Sequence, residues 1–137
     1  MNTRERIKFL VEQLQLSPHP EGGFYKETYR NDNEIKTALG DRNLLTSIFF
    51  LLTSDNVSRF HRIKSDELWY FHEGNSLTVH LLNELGYSTM RLGIHNPGNG
   101  CIPFGLVKAN TIFGSTVDDL DGYALVSCAV APGFDFA

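Results

Sequence analysis

The side chains best able to do chemistry cluster in one run, His61-Arg62-Ile63-Lys64-Ser65-Asp66-Glu67-Leu68-Trp69-Tyr70-Phe71-His72-Glu73-Gly74. In an extended chain alternate residues face the same way, so His61 shares a face with Ile63, and Glu67 shares one with Trp69 and Phe71. Two large aromatics on that second face place it in an interior. A carboxyl carried inside needs a partner or a task. His61, one strand earlier across the turn at Lys64-Ser65-Asp66, is the natural partner. A histidine and a carboxyl in a dry pocket shift each other's protonation and can exchange a proton with a substrate. The same two residues could instead form an ion pair that only fixes strand register.

Other residues are candidates for the same cavity. Trp69 and Phe71 would wall it, and Tyr29 and Lys108 would add a phenol and a cation. Arg59 has the parity of His61 and would either meet an anionic ligand or lie along the surface. His19 and Glu21 fall in a Pro/Gly-rich stretch, where they would cap a barrel mouth or simply form a turn. Glu27 shares parity with Tyr25 and Tyr29 and faces either way. His80 alternates with Leu77, Val79 and Leu81, and its face is open between pocket and solvent. His95 sits in a turn and is expected to be exposed.

The elements that must position these groups are short. Asn2, with Glu5 three residues on and Ile7, Leu10, Val11 and Leu14 on one face, predicts a helix over about 3–14. Ser17-Pro18-His19-Pro20-Glu21-Gly22-Gly23 ends it. Strands are predicted over 24–30, 44–53, 57–63, 67–72, 76–82, 87–94, 101–112 and 123–130, with 31–34 a polar connection. The 44–53 strand is apolar on both faces, as a strand covered on both sides should be. Many short strands between Gly, Pro and Asn turns predict a sandwich or barrel.

The order His61, Glu67, Gly74 resembles the first cupin motif, with Ile63 at its second histidine. Pro103-Phe104-Gly105-Leu106-Val107-Lys108 is similar to the second motif, with Lys108 at its histidine. Three further blocks narrow the likeness. They are Pro18-His19-Pro20-Glu21-Gly22-Gly23-Phe24-Tyr25-Lys26-Glu27-Thr28-Tyr29-Arg30, then Ser58-Arg59-Phe60-His61 running on to Trp69, then Ala131-Pro132-Gly133-Phe134. Together they resemble a small cupin branch of unknown function. That resemblance implies a mainly β fold, a double-stranded β-helix jelly roll related to the RmlC-like epimerases, preceded by the short helix. It also implies a homodimer. Cupins usually hold a divalent ion with three histidines and a glutamate. Ile63 has no donor atom and a protonated Lys108 would repel a cation, so no metal or other cofactor is expected; were one bound, His61 and Glu67 would hold it.

Composition bounds the function. The chain of 137 residues, with a net charge of −4 and scattered basic residues, is expected to form one domain over 1–137 with its barrel over about 23–131. An acidic balance argues against nucleic acid or anionic membranes as partners. The N-terminal residues lack the apolar stretch of a secretion signal, and no apolar run is long enough to span a bilayer. Cys101 and Cys128 are too few for a disulfide framework and read as buried thiols, which suits a cytoplasmic location. Three functions follow for a pocket of this kind. It would be an isomerase or epimerase acting on a polar or sugar-like metabolite without metal, a metal-dependent cupin with a reduced ligand set, or a non-catalytic module that binds a small ligand.

Overall fold

The chain's helix forms where the capping pattern predicts. In the computed structural model, which describes residues 1–134, α1 spans Thr3–Gln13, and the Asn2 side chain accepts the Glu5 backbone N–H at 2.8 Å. Its apolar stripe packs Leu10 onto Leu51 and Leu125, with Ile7, Val11 and Leu14 around them. One charged contact fixes its orientation. Arg6 donates twice to Glu73, at 2.9 and 2.7 Å, and the Tyr123 hydroxyl donates to the same carboxylate at 2.7 Å. The Arg6 guanidinium, helped by Tyr123, holds the Glu73 carboxyl at about 2, well below its ordinary range.

The strands are β1 (Ser17–Pro18), β2 (Phe24–Arg30), β3 (Glu34–Thr37), β4 (Gly40–Asn43), β5 (Thr46–Thr53) and β6 (Ser58–Arg62). They continue with β7 (Asp66–Gly74), β8 (Leu77–Asn83), β9 (Gly86–Leu92), β10 (Phe104–Val107), β11 (Ile112–Val117) and β12 (Tyr123–Ala131). One sheet has the order β1-β2-β5-β12-β7-β10, the other β6-β11-β8-β9, and β3-β4 form a separate hairpin. Neighbours in each sheet pair antiparallel. Strands distant in sequence, β5, β12 and β7, lie side by side, as the predicted jelly roll requires. Phe50, Leu52, Trp69, Val79, Phe113 and Val126 fill the space between the sheets. The two-faced apolar pattern of β5 has its reason here, since Leu51 faces the helix while Phe50 and Leu52 face the core. Among the described residues no helix is long and apolar enough to cross a membrane.

Two local expectations need correction. The stretch 101–112 is not one strand; β10 ends at Val107 and β11 begins at Ile112, because Asn110 takes a left-handed backbone (φ 69°) that breaks the extension. The polar segment after β2 carries the β3-β4 hairpin, whose ladder is set by backbone pairing and not by an apolar face.

Candidate functional site

A cavity of about 290 Å³ opens between the sheets, lined by residues of β5, β6, β7 and β12 and by the turn before β2. Its floor follows from register. Thr46 pairs with Val130 and Val130 with Glu67 across β5, β12 and β7, and the next inward row is Ile48, Cys128 and Trp69. Thr46, Ile48, Glu67, Cys128 and Val130 all line the cavity, with Ile63 and Phe134, while His19, Glu21, His61 and Arg62 contribute most of the polar wall.

His61 reaches this wall through a bulge. Phe113 of β11 pairs with His61 and Ser115 with Ser58, so one residue of β11, Gly114, faces two of β6. A Cβ on Gly114 would lie 2.6 Å from the Ser58 carbonyl oxygen and 3.2 Å from the Phe60 nitrogen, so the bulge needs glycine there. The extra residue turns both Ser58 and His61 inward and both Arg59 and Phe60 outward. Parity alone put Arg59 on the His61 face. The bulge corrects that placement, and Arg59 is exposed.

His19 is brought opposite by the Pro/Gly-rich turn. The His19 N–H donates to the Gly23 carbonyl (2.9 Å), the Gly22 N–H donates back to His19 (3.0 Å), and the Arg59 N–H donates to the Glu21 carbonyl (2.8 Å), which ties the turn to β6. Gly22 has φ 110°, and a Cβ there would sit 2.0 Å from the Val57 oxygen. No other residue fits. The His19 ring stands edge-on to Tyr25 and Phe50, with centroids 4.8 and 5.9 Å away.

Backbone partners assign the two tautomers. His19 Nδ1 accepts the Glu21 backbone N–H at 3.0 Å, so in the neutral ring the proton is on Nε2. His61 Nδ1 lies 2.7 Å from the Arg59 carbonyl oxygen, which only a donor satisfies, so in the neutral ring the lone pair is on Nε2. Burial pushes the His19 pKa down, His61 pushes it further, and Glu21 opposes only in part. In their neutral forms the two rings are therefore opposite tautomers. His61 also packs on Phe113, with ring centroids 4.4 Å apart.

Glu67 is buried, and burial raises its pKa to about 7, against a smaller opposing effect of its hydrogen bond with Cys128. Burial, with the neighbouring Glu67, lifts the Cys128 thiol well above its ordinary range, so it stays protonated. Glu67 and His61 share the cavity, as expected, but no hydrogen bond joins them among the described residues. His61 bonds instead to the Arg59 carbonyl.

The remaining candidates fall elsewhere. Trp69 is buried and Phe71 packs against the core beside Val126, inward but below the cavity. Tyr29 is exposed because β2 also bulges; Glu27 pairs with Ile48, yet Tyr29 pairs with the outward Ser47. Lys108 follows Val107, which is buried opposite Glu67, so alternation sends Lys108 into solvent. Glu27 pairs with Arg30 at 2.6 Å. His80 lies on the outer face of the smaller sheet, bonded to Tyr87 and Thr116 at 2.6 and 2.9 Å. Sequence reasoning left His19 undecided and passed over Arg62 and Thr46 at the cavity.

The donor set does not suit a divalent ion. Ile63 lines the cavity without a donor atom, and among the described residues no group of three or more His, Cys, Asp or Glu is placed to hold a metal.

The family described as Cupin superfamily (DUF985) matches residues 8–137. Protein SO0799 from Shewanella oneidensis is 40% identical in its solved structure, with TM-score 0.86 over 99% of this chain and 82% of that one. A hypothetical protein from Leishmania major is 36% identical, with TM-score 0.88 over 98% of this chain and 84% of that one. Uncharacterized protein YML079W of Saccharomyces cerevisiae is 28% identical over 95% of this chain and 72% of its own length.

Proposed function

We propose that this chain, which belongs to the Cupin superfamily (DUF985) family, binds a small polar metabolite in its cavity and shifts a proton on it in the manner of an isomerase or epimerase. The observation that carries this reading is that the cavity is lined by two imidazoles whose neutral forms are opposite tautomers, His61 with its lone pair on Nε2 and His19 with its proton there. The cavity volume is near the lower end for small-molecule sites, which suits a sugar-sized ligand.

The chemistry runs on those two rings. His61 Nε2 takes a proton from the carbon beside a ligand carbonyl, and the C–H electrons move into a C=C bond as the carbonyl oxygen gains negative charge. His19 Nε2–H donates to that oxygen. Return of the proton from His61 to the neighbouring carbon, as the hydroxyl there gives up its proton to the first oxygen and becomes the new carbonyl, completes an isomerisation. An epimerisation requires the proton to reach the opposite face of the original carbon, and return to the same face only exchanges it with solvent. Cys128, with its raised pKa, takes no nucleophilic part.

We read the chain as one domain that works as a cytoplasmic homodimer. Support for the dimer is an uncovered apolar area at the β10 edge, where the tilted rings of Tyr70 and Phe104 lie with centroids 5.4 Å apart beside exposed Ile102 and Leu106. Two free, buried thiols suit a reducing compartment.

The test is deuterium uptake from D2O into a panel of aldoses and ketoses, read by mass spectrometry. Wild type should catalyse uptake into at least one of them. His61→Ala should abolish that uptake while the melting temperature stays close to wild type. A folded wild type that binds a panel sugar and exchanges no carbon-bound hydrogen would sink the catalytic reading. An unchanged affinity with a much lower melting temperature in His61→Ala would reduce His61 to a structural group.

A further inference from the structure

A second space of about 30 Å³ adjoins the cavity and shares His19, Ile48, His61, Glu67 and Cys128 with it. Its other walls include Phe50, Trp69 and Phe113, which meet edge to face at 6.1 and 6.3 Å between centroids. The volume suits one oxygen-bearing group and is too small for a ring. Trp69 is only 2% exposed, and among the described residues its indole Nε1–H has no hydrogen-bond partner. Buried donors are nearly always satisfied, so an orphan on the wall of a small lobe points to an acceptor supplied from outside the chain.

We propose that this lobe is the innermost subsite of the ligand cavity and takes an uncharged oxygen, a hydroxyl or a carbonyl, that accepts from Trp69 Nε1–H. The proposal rests on the reading of the cavity as a small-molecule site and narrows the ligand to a compound that enters with a neutral oxygen leading. A carboxylate is disfavoured on two grounds. Three aromatic rings give it no water, and no arginine or lysine lines the lobe. Glu67 on the same wall would repel it above neutral pH. A hydroxyl meets neither objection, because it can accept from the indole and donate to Glu67 or to His61 Nε2 at once. Arg62 lines the outer cavity and not the lobe, so an anionic group elsewhere on the ligand would be held there, which fixes the direction of entry.

Trp69 is the chain's only tryptophan, so one indole N–H resonance reports on the lobe. The full 15N-labelled protein is titrated with cyclohexanol, cyclohexanone and cyclohexanecarboxylate. Cyclohexanol and cyclohexanone should move that resonance downfield, with the carboxylate leaving it in place. Trp69→Phe, which keeps a ring and removes the donor, should weaken cyclohexanol binding by about 2- to 10-fold. Movement of the Ile48 and Cys128 amides with a fixed indole resonance would overturn the subsite and leave the cavity reading standing. A shift as large with the carboxylate would overturn the preference for a neutral group. If neither the indole nor those amides respond to any of the three, the cavity reading fails and the subsite with it.

Discussion

Replacing Glu67 with glutamine tests the burial at the centre of the site. Burial raises the folded-state pKa from the ordinary 4.5 to about 7. A group whose pKa rises on folding binds its proton more tightly in the native state. The stability it contributes is therefore fully present below pH 4.5 and is lost as pH climbs towards 7. At about 1.4 kcal/mol per pH unit across that window, the loss is about 3 kcal/mol. Glutamine keeps the shape and an acceptor for the Cys128 thiol without the titration. The difference in unfolding free energy, Glu67→Gln minus wild type, should thus be flat below pH 4.5, rise by about 3 kcal/mol by pH 7 and level off above it. Urea melts at half-unit steps from pH 4 to 8 measure that difference. His19, whose depressed pKa removes stability as pH falls below 6.5, contributes alike to both proteins and cancels. A difference that stays constant across pH 4 to 8 would refute the placement of an ionisable, buried Glu67.

Gly22→Ala should cost at least about 2 kcal/mol, because φ 110° and the Val57 oxygen at 2.0 Å leave no room for a methyl; thermal melts give the loss, and displaced His19 should remove deuterium uptake in the fraction that folds. Glu73→Gln should lower stability above pH 4.5, and the gap should close as pH falls towards 2, since a depressed carboxyl pKa loses its contribution on acidification; acid titration of melting temperature checks the sign. Light scattering at micromolar concentration should give the mass of two chains, and charging the apolar edge by Phe104→Glu should give one; a wild-type mass of one chain would end the homodimer reading.

Much of the fold was legible because β7 alternates cleanly, with Glu67, Trp69 and Phe71 on one face, and because β5 is apolar on both. Candidate residues went astray where alternation stops. Arg59 and Tyr29 each sit next to a bulge, and a bulge reverses every later side chain in its strand. The signal for the first lay in another strand, at Gly114, where a side chain would collide with β6; nothing local to Arg59 announces it. Lys108 went astray for a different reason. Motif position put it in the site, yet buried Val107 immediately before it dictates the opposite direction.

His19 was a candidate left undecided that the sequence could have settled. A histidine inside a turn forced by two glycines is held rigidly, and rigid turns at a barrel mouth are where a reactive ring belongs. Its placement also bears on the departure at Ile63. In this chain the second imidazole of the cavity comes from the turn before β2 and not from the strand that bears His61. Its Nδ1 is occupied by a backbone N–H, while the His61 Nδ1 is occupied by a backbone carbonyl. Two rings gathered for one cation would both offer lone pairs. Here the backbone sets opposite neutral tautomers on two rings that line one cavity, beside a carboxyl whose pKa burial raises to about 7. That polarity suits moving a proton across a bound molecule, and it is set by two main-chain hydrogen bonds that no side-chain substitution in the cavity would readily reverse.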